Sequence, residues 1–181
     1  MKNGVVSIQV LGAIPTNNRG CAIFVGNEEK IFTIHVELSV GQAIAMFMQN
    51  TPKERPLTHD MIGHVFKGLG VSVERIVIND LKNGTYFARL ILKQENELGQ
   101  KLIEVDARPS DCLALAVQSK APIFVARSVF DEVEDMSDVL KKLNEMQEKP
   151  TGEMDIENPS HSDSDIDEPG PEEEPPESEK G

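Results

Sequence analysis

Asp106, Arg108, Ser110 and Asp111 fall within six residues, where the stretch Lys101 to Val105 gives way to the apolar run Cys112 to Gln118. The pattern is a strand-to-helix corner. It gathers two carboxylates, a guanidinium and a hydroxyl beside a helix N-terminus, whose free N–H groups favour anions. Two readings fit these residue types. In one, Ser110 caps the helix behind Pro109, Asp111 favours its positive end, and Asp106 pairs with Arg108 at the surface. In the other, Asp106 and Asp111 supply oxygen ligands to a hard divalent cation of the Mg²⁺ kind, while Arg108 grips a phosphate through two hydrogen bonds. Spacing alone does not demand a metal.

A second constellation is Arg55-Pro56-Leu57-Thr58-His59-Asp60. Thr58 reads as a helix cap, and Asp60 then has a structural reason to stand in the first turn. A histidine that begins a helix, as His59 does, serves as a general acid or base or settles the charge of a phosphate. The plainer alternative is a surface histidine beside the cap. His64 lies five residues further on, off the i, i+4 face that a two-histidine zinc motif requires. His35, between Ile34 and Val36, reads as a half-exposed strand residue. Tyr86 is the sole tyrosine and there is no tryptophan, so a base-stacking platform has little material.

These residues are positioned by a recurring order of elements. Val5 to Gly12, Cys21 to Gly26 and Lys30 to Val36 read as strands, and Val40 to Gln49 as a helix capped by Ser39. A helix from Thr58 to Gly68 or Gly70 follows. Val73 to Asp80 and Tyr86 to Lys93 then form a hairpin around Lys82-Asn83-Gly84, with Lys101 to Val105 as the next strand and a helix after it. Laid over each other without gaps, Ile34 to Gln49 and Ile103 to Gln118 coincide at Ile34/Ile103, Val36/Val105, Ala45/Ala114 and Gln49/Gln118. An internal β-β-β-α duplication accounts for this, and chance accounts for it too. The first corner carries Glu37-Leu38-Ser39-Val40, so only the second holds the charge cluster. Ile123 to Ala126 reads as a short strand. Met136, Val139, Leu140, Leu143 and Met146 form the stripe of a last helix, packed on the domain and ending near Lys149-Pro150.

Charge divides the chain. Residues 150–181 hold twelve Asp and Glu against one Lys, a net of −11, while the rest holds 19 acids and 17 bases, a net of −2. The tail has too little apolar surface to offset the entropy of ordering, so disorder is expected there. Either it is a solvating appendage, or it folds back as a tethered polyanion onto Arg55 and Arg108. The remainder lacks the basic excess of a strong nucleic-acid binder. Cys21 and Cys112 stand far apart in apolar contexts, which suits reduced, buried thiols. With no long apolar run and no signal-peptide pattern at the start, the expected compartment is the cytoplasm, with no membrane contact.

Arg55-Pro-Leu-Thr-His-Asp60, Leu81-Lys-Asn-Gly-Thr-Tyr-Phe-Ala88, Asp106-Ala-Arg-Pro-Ser-Asp-Cys-Leu-Ala-Leu-Ala116 and Pro122-Ile-Phe-Val125 follow one another in this order. Together they resemble the signature of the bifunctional nuclease domain family of bacteria and plants, over roughly Val5 to Val129. The chain departs from that pattern at Glu37-Leu38 and Val40, where the family shows a Gly-Glu pair and a further acid. The resemblance implies an α+β domain of duplicated β-β-β-α character, often self-associating, with nuclease action on RNA and DNA. We therefore expect a mixed sheet in an α+β domain over residues 1–130, a C-terminal helix over 131–149, and the tail over 150–181. The expected function is phosphodiester hydrolysis on nucleic acid, in a homo-oligomer. Arg55 and Arg108 would hold the phosphate with Thr58 and Ser110 beside them, His59 would be the acid or base, and Asp60, Asp106 and Asp111 would position a Mg²⁺-type ion or the attacking water. The rival expectation is a non-enzymatic regulatory or oligomeric module that uses the same charged corners to bind.

Overall fold

Two three-stranded meanders and one inserted strand make the sheet of this protein, for which a computed structural model describes residues 4–17, 19–97 and 99–148. The acidic tail and its expected disorder lie outside the described residues. The first meander is β1 (Val5–Pro15), β2 (Gly20–Gly26) and β3 (Ile31–Glu37), followed by α1 (Leu38–Met48) and α2 (Thr58–Gly68). The second is β4 (Val71–Lys82), β5 (Thr85–Asn96) and β6 (Gly99–Ala107), followed by α3 (Pro109–Ser119), β7 (Ile123–Ala126), α4 (Arg127–Glu132) and α5 (Ser137–Glu148). The seven strands run in the order β3-β2-β1-β7-β4-β5-β6. β7 pairs antiparallel with β1 and parallel with β4, which makes the sheet mixed and the fold α+β, with a β-β-β-α unit occurring twice.

Alternation sets the faces. Val6 and Ile8 of β1 point inward while Val5, Ser7 and Gln9 point out, as the period of two requires. β2 is buried on both sides, with Cys21, Ile23 and Val25 in the main core and Ala22 and Phe24 against Leu140 of α5. In α5, Leu140 and Leu143 pack as the stripe requires, whereas Val139 and Met146 remain exposed. The hairpin at Asn83-Gly84 has φ of 50° and 75°, the left-handed pair that its sequence favours.

The duplication is real in outline but slips by two residues in the helices. α1 and α3 each have 11 residues and begin at Leu38 and Pro109, 71 positions apart, where the gapless overlay uses 69. The structural equivalents are thus Ser39/Ser110, Ala43/Ala114 and Ala45/Ala116. This moves the expected caps as well. β3 runs straight into α1, so Glu37 is the N-cap and Ser39 already lies in the first turn; no side chain caps that end. Arg108 takes the same place before α3, and Ser110 is inside the helix. At α2 the N-cap is Leu57, and the capping bond comes from Asp60 reaching back to the Leu57 amide at 2.8 Å. Thr58 is simply the first helical residue.

α4, absent from the sequence reading, is too short to show a period. It buries Val129 and Phe130, with Phe130 edge-on to Phe32 at 6.3 Å. Lys30 Nζ donates to the carbonyls of Phe130 and Val133 at 2.8 and 3.0 Å, closing the end of that helix with a cation.

Gly41 is where α1 comes down onto β2: a Cβ there would fall inside contact distance of the Cys21 side chain. Gly41→Ala gains about 1 kcal/mol of helix propensity, yet overpacking costs about 1–3 kcal/mol. Net destabilisation is expected as a lower denaturant midpoint at unchanged slope. A raised midpoint would mean that helix and strand are not held this close.

Candidate functional site

The strongly curled sheet brings its two wings together. β3 is one edge and β5 stands next to the other, yet Tyr86 Oη donates to the Thr33 carbonyl at 3.4 Å and its ring stacks on Phe32 at 6.1 Å. The two strand-to-helix corners meet as a consequence: Arg108 Nη1, at the N-cap of α3, donates to Glu37 Oε1, at the N-cap of α1, over 3.4 Å.

From Arg108 the contacts continue into α3 and α2. Its Nε donates to Asp111 Oδ2 at 2.8 Å and its Nη2 to Asp111 Oδ1 at 3.5 Å, a fork closed over three residues of one helix turn. Asp111 Oδ1 also lies 3.2 Å from His59 Nε2, across 52 residues of sequence. Burial raises the carboxyl of Asp111, but the bonds from Arg108 and His59 outweigh it and the pKa is lowered. An ionised carboxylate only accepts, so His59 Nε2 must carry the hydrogen and donate. Nδ1 is then the basic nitrogen of the neutral ring. The His59 side chain is 9% exposed, edge-on to Phe47.

The other residues read from the sequence go elsewhere. Asp106 faces Arg89, directly opposite on β5, with Arg89 Nη1 to Asp106 Oδ1 at 2.7 Å; the expected pair with Arg108 does not form because Pro109 has already turned the chain onto α3. Asp60, next to His59 but round the helix from it, meets Lys53 Nζ at 2.7 Å and Gln118 Nε2 at 2.7 Å besides the Leu57 amide. Burial raises this carboxyl, and the Lys53, Leu57 and Gln118 contacts together lower it below the ordinary range. Arg55 is exposed and lines a cavity with Pro52, Lys53 and His64, apart from the cleft of Arg108. Thr58 is exposed on α2. Ser110 is half-buried and shares a cleft with Arg108.

This arrangement does not fit a hard divalent cation. Asp106 is committed to Arg89 and Asp111 to Arg108 and His59, and among the described residues no three His, Cys, Asp or Glu side chains are grouped as a metal site. What the cluster does offer is a guanidinium, 62% exposed, with N–H groups beyond its three bonds, beside a histidine whose tautomer is fixed by a carboxylate. Such a set can bind a phosphate and move a proton.

Sequence reasoning did not assign roles to Glu37, Lys53, Arg89 or Gln118. Glu37 had a signal, its place at the first corner of the repeat. The other three had none, since the partner of Arg89 is set by strand register, that of Gln118 by the packing of α2 on α3, and that of Lys53 by the path of the α1–α2 connection.

Comparison with known proteins gives the family of the chain. A model of the bifunctional nuclease domain matches residues 23–137, well over half of the chain, and the protein belongs to that family. An uncharacterized protein of Mycobacterium tuberculosis (strain H37Rv) is 35% identical over 115 residues, which cover 64% of this chain and 66% of the relative. Bifunctional nuclease 1 of Oryza sativa subsp. japonica is 29% identical over 83 residues, 45% of this chain and 24% of the rice protein. Bifunctional nuclease of Oryza minuta matches to the same extent. The chain thus spans slightly less than two thirds of the mycobacterial protein and about a quarter of the plant ones. Among the described residues no helix is long and apolar enough to cross a membrane.

Proposed function

We propose that this protein is a nuclease that hydrolyses phosphodiester bonds in nucleic acid at the junction of the two corners. The observation that carries the reading is the linked chain His59–Asp111–Arg108–Glu37, which draws side chains from α2, α3 and the end of β3 to one place. Family membership and the names of the plant relatives support the reaction class. Arg108 holds the phosphodiester and offsets charge on its oxygens in the transition state. Asp111 fixes the His59 tautomer, and Nδ1 takes a proton from the attacking water. The water oxygen bonds to phosphorus, the bond from phosphorus to the sugar oxygen breaks, and the departing oxygen takes a proton from solvent. Asp60, Asp106, Arg55 and Thr58 fall outside this role.

The test is cleavage of labelled RNA and single-stranded DNA by purified full-length protein, with and without EDTA. Cleavage is expected, and it is expected to drop about 10²–10⁴-fold in His59→Ala, the usual contribution of a positioned acid or base. A variant that cuts at the parental rate would remove His59 from the mechanism. One observation favours the binding-module reading instead: the His59 ring is nine-tenths covered. In that case oligonucleotides bind at Arg108 and are released intact. The reading also includes self-association, tested by light scattering, and a cytoplasmic location, tested by cell fractionation.

A further inference from the structure

Arg108 has a second side. It forms one wall of an open cleft of about 600 Å³, whose other walls include Arg19 from the β1–β2 turn, His35 from β3, and Thr85 and Tyr86 from the β4–β5 turn and the start of β5. Ser110 lies at the same end as Arg108. Of these, only Arg108 and Ser110 belong to the site read from sequence. The cleft exists because the sheet curls: β3 and the β4–β5 hairpin, distant in strand order, become its facing sides.

We infer that this cleft receives one unpaired nucleotide next to the phosphate held by Arg108, which makes single-stranded nucleic acid the substrate class. The inference rests on the nuclease reading for the phosphate at Arg108, and goes beyond it in naming what lies alongside. Size agrees, since pockets for small ligands span about 300–1,000 Å³ and one nucleotide occupies the lower part of that range. So does the chemistry. Unpaired bases are recognised by stacking on aromatic or imidazole rings and by hydrogen bonds to their exposed edges. The chain is too poor in aromatics for an extended stacking platform, but its one tyrosine, Tyr86, and exposed His35 share this cleft and supply rings for a single base, while Thr85 and Ser110 supply hydroxyls. Arg19 supplies a second guanidinium for a neighbouring phosphate. Tyr86 is held in place by Phe32 and the Thr33 carbonyl, so little side-chain freedom remains to be lost on binding.

Duplex is disfavoured on two counts. A paired base must be unpaired and unstacked before it can enter a cleft, a step that a single strand is spared. Nor does the rest of the domain compensate with broad positive charge, holding 19 acids to 17 bases over residues 1–149.

Fluorescence anisotropy of the full-length chain with short labelled oligo-dT and oligo-U, against a fully paired hairpin, tests the inference at several salt concentrations. Single strands are expected to bind about tenfold or more tightly than the hairpin, and His35→Ala and Tyr86→Leu each to weaken them about five- to tenfold. Arg19→Ala is expected to weaken them too, and to flatten the slope of log K against log salt by about 0.7. His35 and Arg19 are exposed, so their variants keep the test valid if Tyr86→Leu melts early. Equal binding of single strand and hairpin, or unchanged single-strand affinity in both His35→Ala and Arg19→Ala, would overturn the cleft assignment. In that outcome, loss of binding in Arg108→Ala leaves the nuclease reading standing. A parent chain that binds no oligonucleotide overturns both.

Discussion

Asp60→Ala is expected to lower stability by about 2 kcal/mol, as loss of a charged, part-buried hydrogen-bond acceptor does, and to depress the melting temperature by roughly 6 °C. Lys53 and Asp60 side chains are only 19% and 14% exposed, and three donors from three places end on this carboxylate. Its removal strands the Lys53 ammonium, uncaps α2 at Leu57 and leaves Gln118 of α3 without its acceptor. The Phe47 ring, 4.1 Å below Lys53 Nζ, relieves part of the loss. Asp60→Asn keeps an acceptor but no charge, so its cost falls between. The pH dependence has a definite sign. Folded Asp60 has a lowered pKa, so its contribution is complete above the unfolded-state value of about 3.9 and is lost as pH falls through the folded value. Thermal melts from neutral pH to pH 3 check this: the gap between parent and Asp60→Ala is expected to narrow on acidification. An Asp60→Ala protein that melts like its parent yet cuts no nucleic acid would instead make Asp60 part of the reaction.

The Asn83-Gly84 hairpin and the strands on either side of it were legible, and the helix starts to within about two residues, because turn chemistry and periodicity are local properties. His59 and Asp60 looked alike as candidates, being adjacent at a helix start. On a helix, however, neighbours point about 100° apart, and here one faces Asp111 while the other faces Lys53. Asp106 was equally persuasive beside Arg108. Its fate was decided by the register that sets Arg89 opposite it, and a register cannot be read from one strand alone. The duplication was legible as an order of elements. Its two-residue slip was not, since apolar matches recur at many offsets in two amphipathic helices. The meeting of Glu37 and Arg108 lay further out of reach still, because it depends on how far the sheet curls.

Arg108 carries the largest expected effect on function. In Arg108→Ala, cleavage is expected to fall about 10²–10³-fold, the scale seen when one preorganised donor to a developing oxyanion is removed. The melting temperature is expected to stay close to the parental one, since the guanidinium is largely exposed and surface ion pairs contribute little. As the N-cap of α3 it contributes through its carbonyl, which accepts from the Cys112 amide at 3.0 Å and survives the substitution. Arg108→Lys is expected to recover only a small part of the rate, because an ammonium cannot hold Asp111 and a phosphate in one planar fork. Glu37→Gln moves the other way. Glu37 and an incoming phosphate compete for the same guanidinium, and the existing contact is long and exposed, 3.4 Å between side chains 62% and 70% accessible. Removing that negative charge is expected to tighten oligonucleotide binding about two- to fivefold at low salt, with the gain fading as the ionic strength rises. Opposite signs at the two ends of one ion pair are difficult to obtain from damage to the fold, which weakens binding whichever residue is changed. A folded Arg108→Ala protein that cuts at the parental rate, or a Glu37→Gln protein that binds less tightly, would move the phosphate away from this corner.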